Sequence, residues 1–145
     1  MIAFLDTSAV VKLYIQEVGS AFIREYVQGC SAVLVSAVAY PEGRAALARS
    51  HRDGSLDLAD YDAAKQGFDA DWDRFVVLPA ATPTLRLAGD LAERHRLRGF
   101  DAVHLASAIV ARTVQSSATV DFAAWDARLL AAARAEQFHV VGGTP

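Results

Sequence analysis

The chain has 145 residues, 53% of them hydrophobic, with 17 acidic and 14 basic side chains and a formal charge of −3. That is enough apolar material to bury one sizeable core, which excludes a disordered chain and predicts a single domain over residues 1–145. No basic run marks a groove for duplex nucleic acid, and the single cysteine, Cys30, excludes internal disulfides and cysteine-rich zinc sites.

The start of the chain has no basic segment and meets an acid at Asp6, too early for a secretory signal. No apolar run approaches the roughly 20 residues that span a bilayer, so a cytoplasmic protein with no membrane partner is expected. Residues 2–6 read as a short apolar strand ending in an acid. Thr7 and Ser8 offer caps for a helix that carries Val10, Val11, Leu13 and Tyr14. Residues 19–28 have helical spacing, with Phe22, Ile23 and Tyr26 on one stripe. Residues 32–36 form a β-branched strand, followed by a long helix to about Arg52 and a turn at Asp53-Gly54-Ser55. Pro41 is tolerated in that helix only in its first turn, so the helix is expected to begin near Ala37 or Val38. Residues 60–74 read as helix and 75–79 as strand. Thr82-Pro83 is a cap followed by proline at the first helical position, opening a helix to about Leu97. Residues 101–115 are helical and apolar, 119–125 strand, 126–136 helix and 138–141 a last strand. Near-continuous apolar strands separated by helices predict an α/β fold with a parallel sheet covered on both faces.

Four carboxylates stand out against this pattern: Asp6, Glu42, Asp101 and Asp126. Each lies where a strand gives way to a helix or just inside a helix, next to apolar segments. In open parallel sheets ligands sit beyond the carboxyl ends of the strands, where the strand order reverses. Asp6 and Asp126 end two strands, and Asp101 opens the helix between them. Glu42 shares its helix face with Val38, Ala45, Ala46 and Arg49, a mostly small and apolar face. An acid there needs a partner, either a ligand or a salt bridge to Arg49 or Arg44. Taken singly, capping also accounts for Asp126 and the helix dipole for Asp101, whereas at Asp6 capping is the weaker reading because Thr7 and Ser8 already offer caps. His104, one turn past Asp101, reads as a packing residue or as a side chain facing the crevice. Asp121 is a rival to Asp126 but starts its strand rather than ending it. Two carboxylates ~5 Å apart at an effective dielectric near 20 repel by about 3 kcal/mol. A cluster of four therefore calls for raised pKa values, a bound cation or an inserted basic side chain.

These segments resemble PIN-domain ribonucleases, and among them the VapC-type toxins of toxin–antitoxin pairs. The likeness is carried by Phe4-Leu5-Asp6-Thr7-Ser8-Ala9-Val10-Val11-Lys12-Leu13-Tyr14 and by Ala39-Tyr40-Pro41-Glu42-Gly43-Arg44-Ala45-Ala46-Leu47. It continues in Leu97-Arg98-Gly99-Phe100-Asp101-Ala102-Val103-His104-Leu105-Ala106 and Phe122-Ala123-Ala124-Trp125-Asp126-Ala127-Arg128-Leu129. The resemblance implies a three-layer α/β/α fold with a five-stranded parallel sheet and about seven helices. It implies that Asp6, Glu42, Asp101 and Asp126 bind Mg2+ or Mn2+ and serve RNA hydrolysis by a metal-activated water, with a tRNA or ribosomal RNA loop as target. It further implies a VapB-type antitoxin as partner and a homodimer. Lys12, Arg44 and Arg98 are then the bases to examine for phosphate contacts, and Phe22, Tyr26 and Tyr61 for a partner groove. One departure is Ala124, where the family often carries Thr or Ser. It leaves open an alternative: a PIN-fold module that binds an antitoxin or RNA without cutting.

Overall fold

The computed structural model of the chain describes residues 1–115 and 117–143. Its elements run β1 (Ile2–Leu5), α1 (Thr7–Val11), α2 (Ser20–Gln28), β2 (Ala32–Ser36), α3 (Ala39–Arg52), α4 (Leu58–Trp72) and β3 (Val76–Leu78). Then follow α5 (Thr82–His95), α6 (Gly99–Val114), β4 (Val120–Ala124), α7 (Ala127–Ala135) and β5 (Val140–Gly142). Each expected strand and helix is present, with ends that differ by a few residues. Pro41 is the third residue of α3, where the amide it lacks would have had no helical partner, as the late helix start requires.

The five strands pair in the order β3-β2-β1-β4-β5, and every pair is parallel. β1 sits at the centre, and all four of its residues are buried. Such a strand must be apolar on both faces, which is why Ile2-Ala3-Phe4-Leu5 lacks polar alternation. Successive side chains go to opposite faces. Ile2, Phe4, Leu34, Phe122 and Ala124 join one core under α5, α6 and α7. Ala3, Leu5, Val35, Ala123 and Val141 join a second under α1 to α4. The result is three layers, with one core on each side of the sheet.

The chain builds outward from β1 to β2 and β3, then crosses to the other side of β1 with β4 and β5. The strand order therefore reverses between β1 and β4, whose carboxyl ends open the crevice that such topologies use. Helix α3 descends into this crevice and is clamped to α4 by a close approach at Gly43. A Cβ there would lie 2.7 Å from the ring of Phe68, which is fully buried. Gly43→Ala is expected to lower stability by about 1–2 kcal/mol. The overpacking cost of about 1–3 kcal/mol exceeds the helix-propensity gain of up to about 1 kcal/mol. Combining it with Phe68→Leu should cost less than the two single changes added together. Thermal unfolding of the three variants measures this.

Candidate active site

Asp6 follows the last residue of β1 and caps α1: its Oδ1 accepts from the Ala9 amide at 3.0 Å and from the Ser8 hydroxyl at 2.6 Å. Ser8 Oγ also accepts from the Trp125 amide at 2.9 Å, and the Asp6 amide donates to the Ala123 carbonyl at 3.1 Å. The ends of β1 and β4 are thus stitched together around the carboxylate. Capping and ligand binding do not exclude each other here, because only one oxygen is used. No donor among the described residues meets Oδ2. Asp6 is 3% exposed and has no basic side chain within ion-pair distance among the described residues. Burial pushes its pKa from 3.8 up to about 6, against the pull of His104, Ser8 and the Ala9 amide, and Asp101 adds a further upward push.

Glu42 reaches the crevice from α3 and is held by Thr7 at the start of α1 and by His104 of the opposite helical layer. Its Oε1 accepts from the Thr7 hydroxyl at 2.7 Å and from His104 Nε2 at 2.6 Å. Burial raises its pKa. The hydrogen bonds from His104 and Thr7, with the positive charge of His104 and Arg98, outweigh burial and hold the carboxyl below its ordinary range. His104 Nε2 also lies 3.1 Å from Thr7 Oγ1, so the network calls for a proton on Nε2. Nδ1 is buried with no hydrogen-bond partner. The alternative for Glu42, a salt bridge to Arg49 or Arg44, is not formed among the described residues. Arg44 instead turns to the Tyr40 hydroxyl at 2.7 Å and Asp69 at 3.4 Å, away from the crevice.

Asp101 stands in the first turn of α6, and Asp126 caps α7 through the Leu129 amide at 2.8 Å. Arg98 links the pair, with Nε 3.0 Å from Asp101 and a terminal nitrogen 3.8 Å from Asp126. All four carboxylates line one cavity of about 440 Å³, together with Thr7, Ser8, Lys12, Arg49, Arg98 and Trp125. Two come from strand ends and one from each helical layer. Lys12 lies over the Trp125 ring at 5.1 Å and pairs with Glu17 at 2.8 Å. Asp121, the reserve candidate, lies elsewhere. It is the second residue of β4, in register with Ala3, hydrogen-bonded by Tyr26 and paired with His139 at 3.2 Å.

The donors are hard oxygens, the kind that suit Mg2+ or Mn2+. The free oxygen of a buried, uncompensated Asp6 fits such an ion as well. As they stand, no three His, Cys, Asp or Glu side chains among the described residues form a ready-made metal cage. Glu42 is engaged by Thr7 and His104, and Asp101 by Arg98. Loading a cation therefore requires these carboxylates to turn from their partners or to act through water, which Mg2+ readily retains. Two residues have roles in the crevice that the sequence did not reveal, and a third, Ser8, places the expected hydroxyl beside Asp6. His104 is the partner of Glu42. Arg49 lines the cavity two turns beyond Glu42 on α3. Ser8 supplies a hydroxyl at the end of β4, where Ala124 has none.

The PIN domain family profile matches residues 3–115. Ribonuclease VapC45 of Mycobacterium tuberculosis (strain CDC 1551 / Oshkosh) is 37% identical over 134 residues, covering 92% of this chain and 90% of the relative. Ribonuclease VapC49 of Mycobacterium tuberculosis (strain ATCC 25618 / H37Rv) matches to the same extent, 37% over 134 residues. A chain of a toxin–antitoxin complex from Klebsiella pneumoniae superposes with a TM-score of 0.68 at 14% identity, covering 97% of this chain and 96% of that one. Profile, sequence relatives and the central-strand topology agree: the chain belongs to the PIN-domain family, in its VapC ribonuclease branch.

Proposed function

We propose that this chain is a divalent-cation-dependent endoribonuclease and the toxin of a toxin–antitoxin pair. One observation carries the reading: in a member of the VapC branch, acids from the sheet and from both helical layers line a single cavity. Mg2+ or Mn2+ is the proposed cofactor, held by Asp6, Glu42, Asp101 and Asp126. When bound, such an ion lowers the pKa of a coordinated water and neutralises charge that builds on the scissile phosphate.

The chain's own groups have separable tasks. Asp6, fixed by Ser8 and the Ala9 amide, presents one rigid oxygen from the end of β1. Thr7 and His104 hold Glu42 ionised and aimed across the crevice. Arg98 orients Asp101 and stands beside Asp126, supplying a positive charge for the RNA backbone. Water attacks phosphorus in line, the P–O3′ bond breaks, and the proton released ends on the 3′ oxygen. The products are 5′-phosphate and 3′-hydroxyl ends. No side-chain nucleophile is needed. An antitoxin partner follows from the same branch, as does a pairing of two copies. The structural neighbour from Klebsiella pneumoniae, itself described as a toxin–antitoxin complex, supports the antitoxin. A module that binds without cutting would need the missing hydroxyl at Ala124 to be decisive. Ser8 places a hydroxyl against Asp6, which favours the enzyme.

Asp6→Asn keeps an oxygen to cap α1 but removes the charge. It is expected to reduce RNA cleavage by roughly 100- to 1,000-fold, the scale of losing one group that stabilises the transition state electrostatically. Sequencing of RNA ends after expression of the two proteins measures this and names the target. Because Asp6 titrates at about 6, its carboxylate is available above that pH and protonated below it. Mn2+ affinity measured by calorimetry should therefore weaken roughly tenfold per pH unit below 6 and level off above 7. A flat profile from pH 5 to 8 would show that Asp6 does not bind the ion.

A further inference from the structure

Phe100 stands immediately before Asp101 at the start of α6 and is 58% exposed. An exposed aromatic ring offers a large apolar face that a ligand can cover. The exposed Phe22 at least stacks on Tyr26 at 6.2 Å, whereas Phe100 has no ring partner among the described residues. It lines two hollows that adjoin the acidic cavity. One, of about 540 Å³, is shared with Glu42, Asp101, Arg49 and Arg98. The other, of about 390 Å³, has an apolar floor of Pro41, Ala45 and Ala46, with Arg49 again on its wall. Glu42 and Arg49 line both hollows and the acidic cavity, so the three are continuous. Arg49 is exposed and forms no ion pair among the described residues. Arg98 is 78% exposed in its side chain while tethered to Asp101.

An exposed aromatic face, a small apolar floor and two guanidinium groups thus border the carboxylates. Resting on the nuclease reading above, we propose that Phe100 is a stacking platform for one unpaired base beside the scissile phosphate, with Arg49 gripping the adjoining backbone. The occupant is single-stranded RNA. A base within a duplex has both faces already stacked, whereas a base in a loop can lay one face on the ring. The charge pattern fits the same occupant: acids where a cation would meet the scissile phosphate, and arginines one step outside, where the neighbouring phosphates pass.

The test is a cycle between protein and substrate. A randomised pool of single-stranded RNA oligonucleotides gives the best-cut sequence for the full-length wild-type chain. That sequence is then made with an abasic nucleotide at each position in turn. Phe100→Ala should lower kcat/KM on the intact RNA by roughly 5- to 150-fold, the worth of one stacked base, and Phe100→Trp should restore it. At one position beside the cut, the abasic substrate should cost the wild type the same factor and cost Phe100→Ala nothing more. Arg49→Gln should weaken cutting of all sequences alike and reduce the salt dependence by about 0.7 in log–log slope. Wild-type cutting left undiminished by Phe100→Ala, or losses that multiply at every abasic position, would overturn the platform and leave the nuclease reading standing. Activity lost together with a change in sedimentation and no coupling would overturn it too, making Phe100 a contact between copies of the chain. A wild-type chain that neither cuts nor binds RNA would remove both.

Discussion

The feature on which the rest of the molecule depends is a buried carboxylate that has no ion-pair partner among the described residues. Asp6 follows the central strand, is almost wholly removed from water, and meets a hydroxyl and one amide but no basic side chain within ion-pair distance among the described residues. Burying an ionised carboxylate in this way is unfavourable, and its raised pKa expresses that cost as a tendency to hold a proton. The surrounding acids reduce their own cost differently. Glu42 takes hydrogen bonds from His104 and Thr7, and Asp101 and Asp126 share Arg98. The cavity is therefore negative, but unevenly so, and the deficit of positive charge is concentrated at Asp6.

The fold makes this arrangement unavoidable once the sequence is threaded through it. A central strand buried on both faces has to deliver its next residue to the sheet's edge, and the reversal of strand order between β1 and β4 leaves a gap at that edge. Two helical layers close over the gap from opposite sides, α3 bringing Glu42 and α6 bringing Asp101 and His104. The hydrogen bond from His104 to Glu42 ties the layers together above the sheet. The same bond that positions a carboxylate thus also contributes to packing, and changes at either residue act on both.

Much of this was legible in the sequence, for reasons that differ between parts. The strands β1 and β4 announce themselves because burial on both faces leaves no polar alternation. Asp6 and Asp126 follow from the rule that such strands end at the ligand. Asp126 could be separated from Asp121 by position in the strand, and the register with Ala3 agrees. The partner of Glu42 was not legible. His104 lies 62 residues away, and arginines on the same helix offered a shorter but wrong solution. Arg44 was drawn off by Tyr40 and Asp69, a competition between side chains that no local pattern records. Exposure was equally hidden: the stripe of Phe22, Ile23 and Tyr26 reads as one apolar face, yet only Ile23 is fully buried. Periodicity reports which residues share a face, but not how much of that face the neighbouring layer covers.

The most direct measurement is thermal unfolding of the wild type and Asp6→Asn in EDTA from pH 4 to 8, repeated with Mn2+. Asp6 has a folded pKa of about 6 against 3.8 ordinarily, so near pH 4 little charge is buried and the two proteins should melt together. As pH rises from about 4 to 6 the wild type should fall progressively behind, levelling off at about 3 kcal/mol near pH 7 and above. Mn2+ should then raise the wild type and leave Asp6→Asn little changed. Equal melting curves across the pH range, with the same response to Mn2+ in both proteins, would contradict an uncompensated charge at the end of β1.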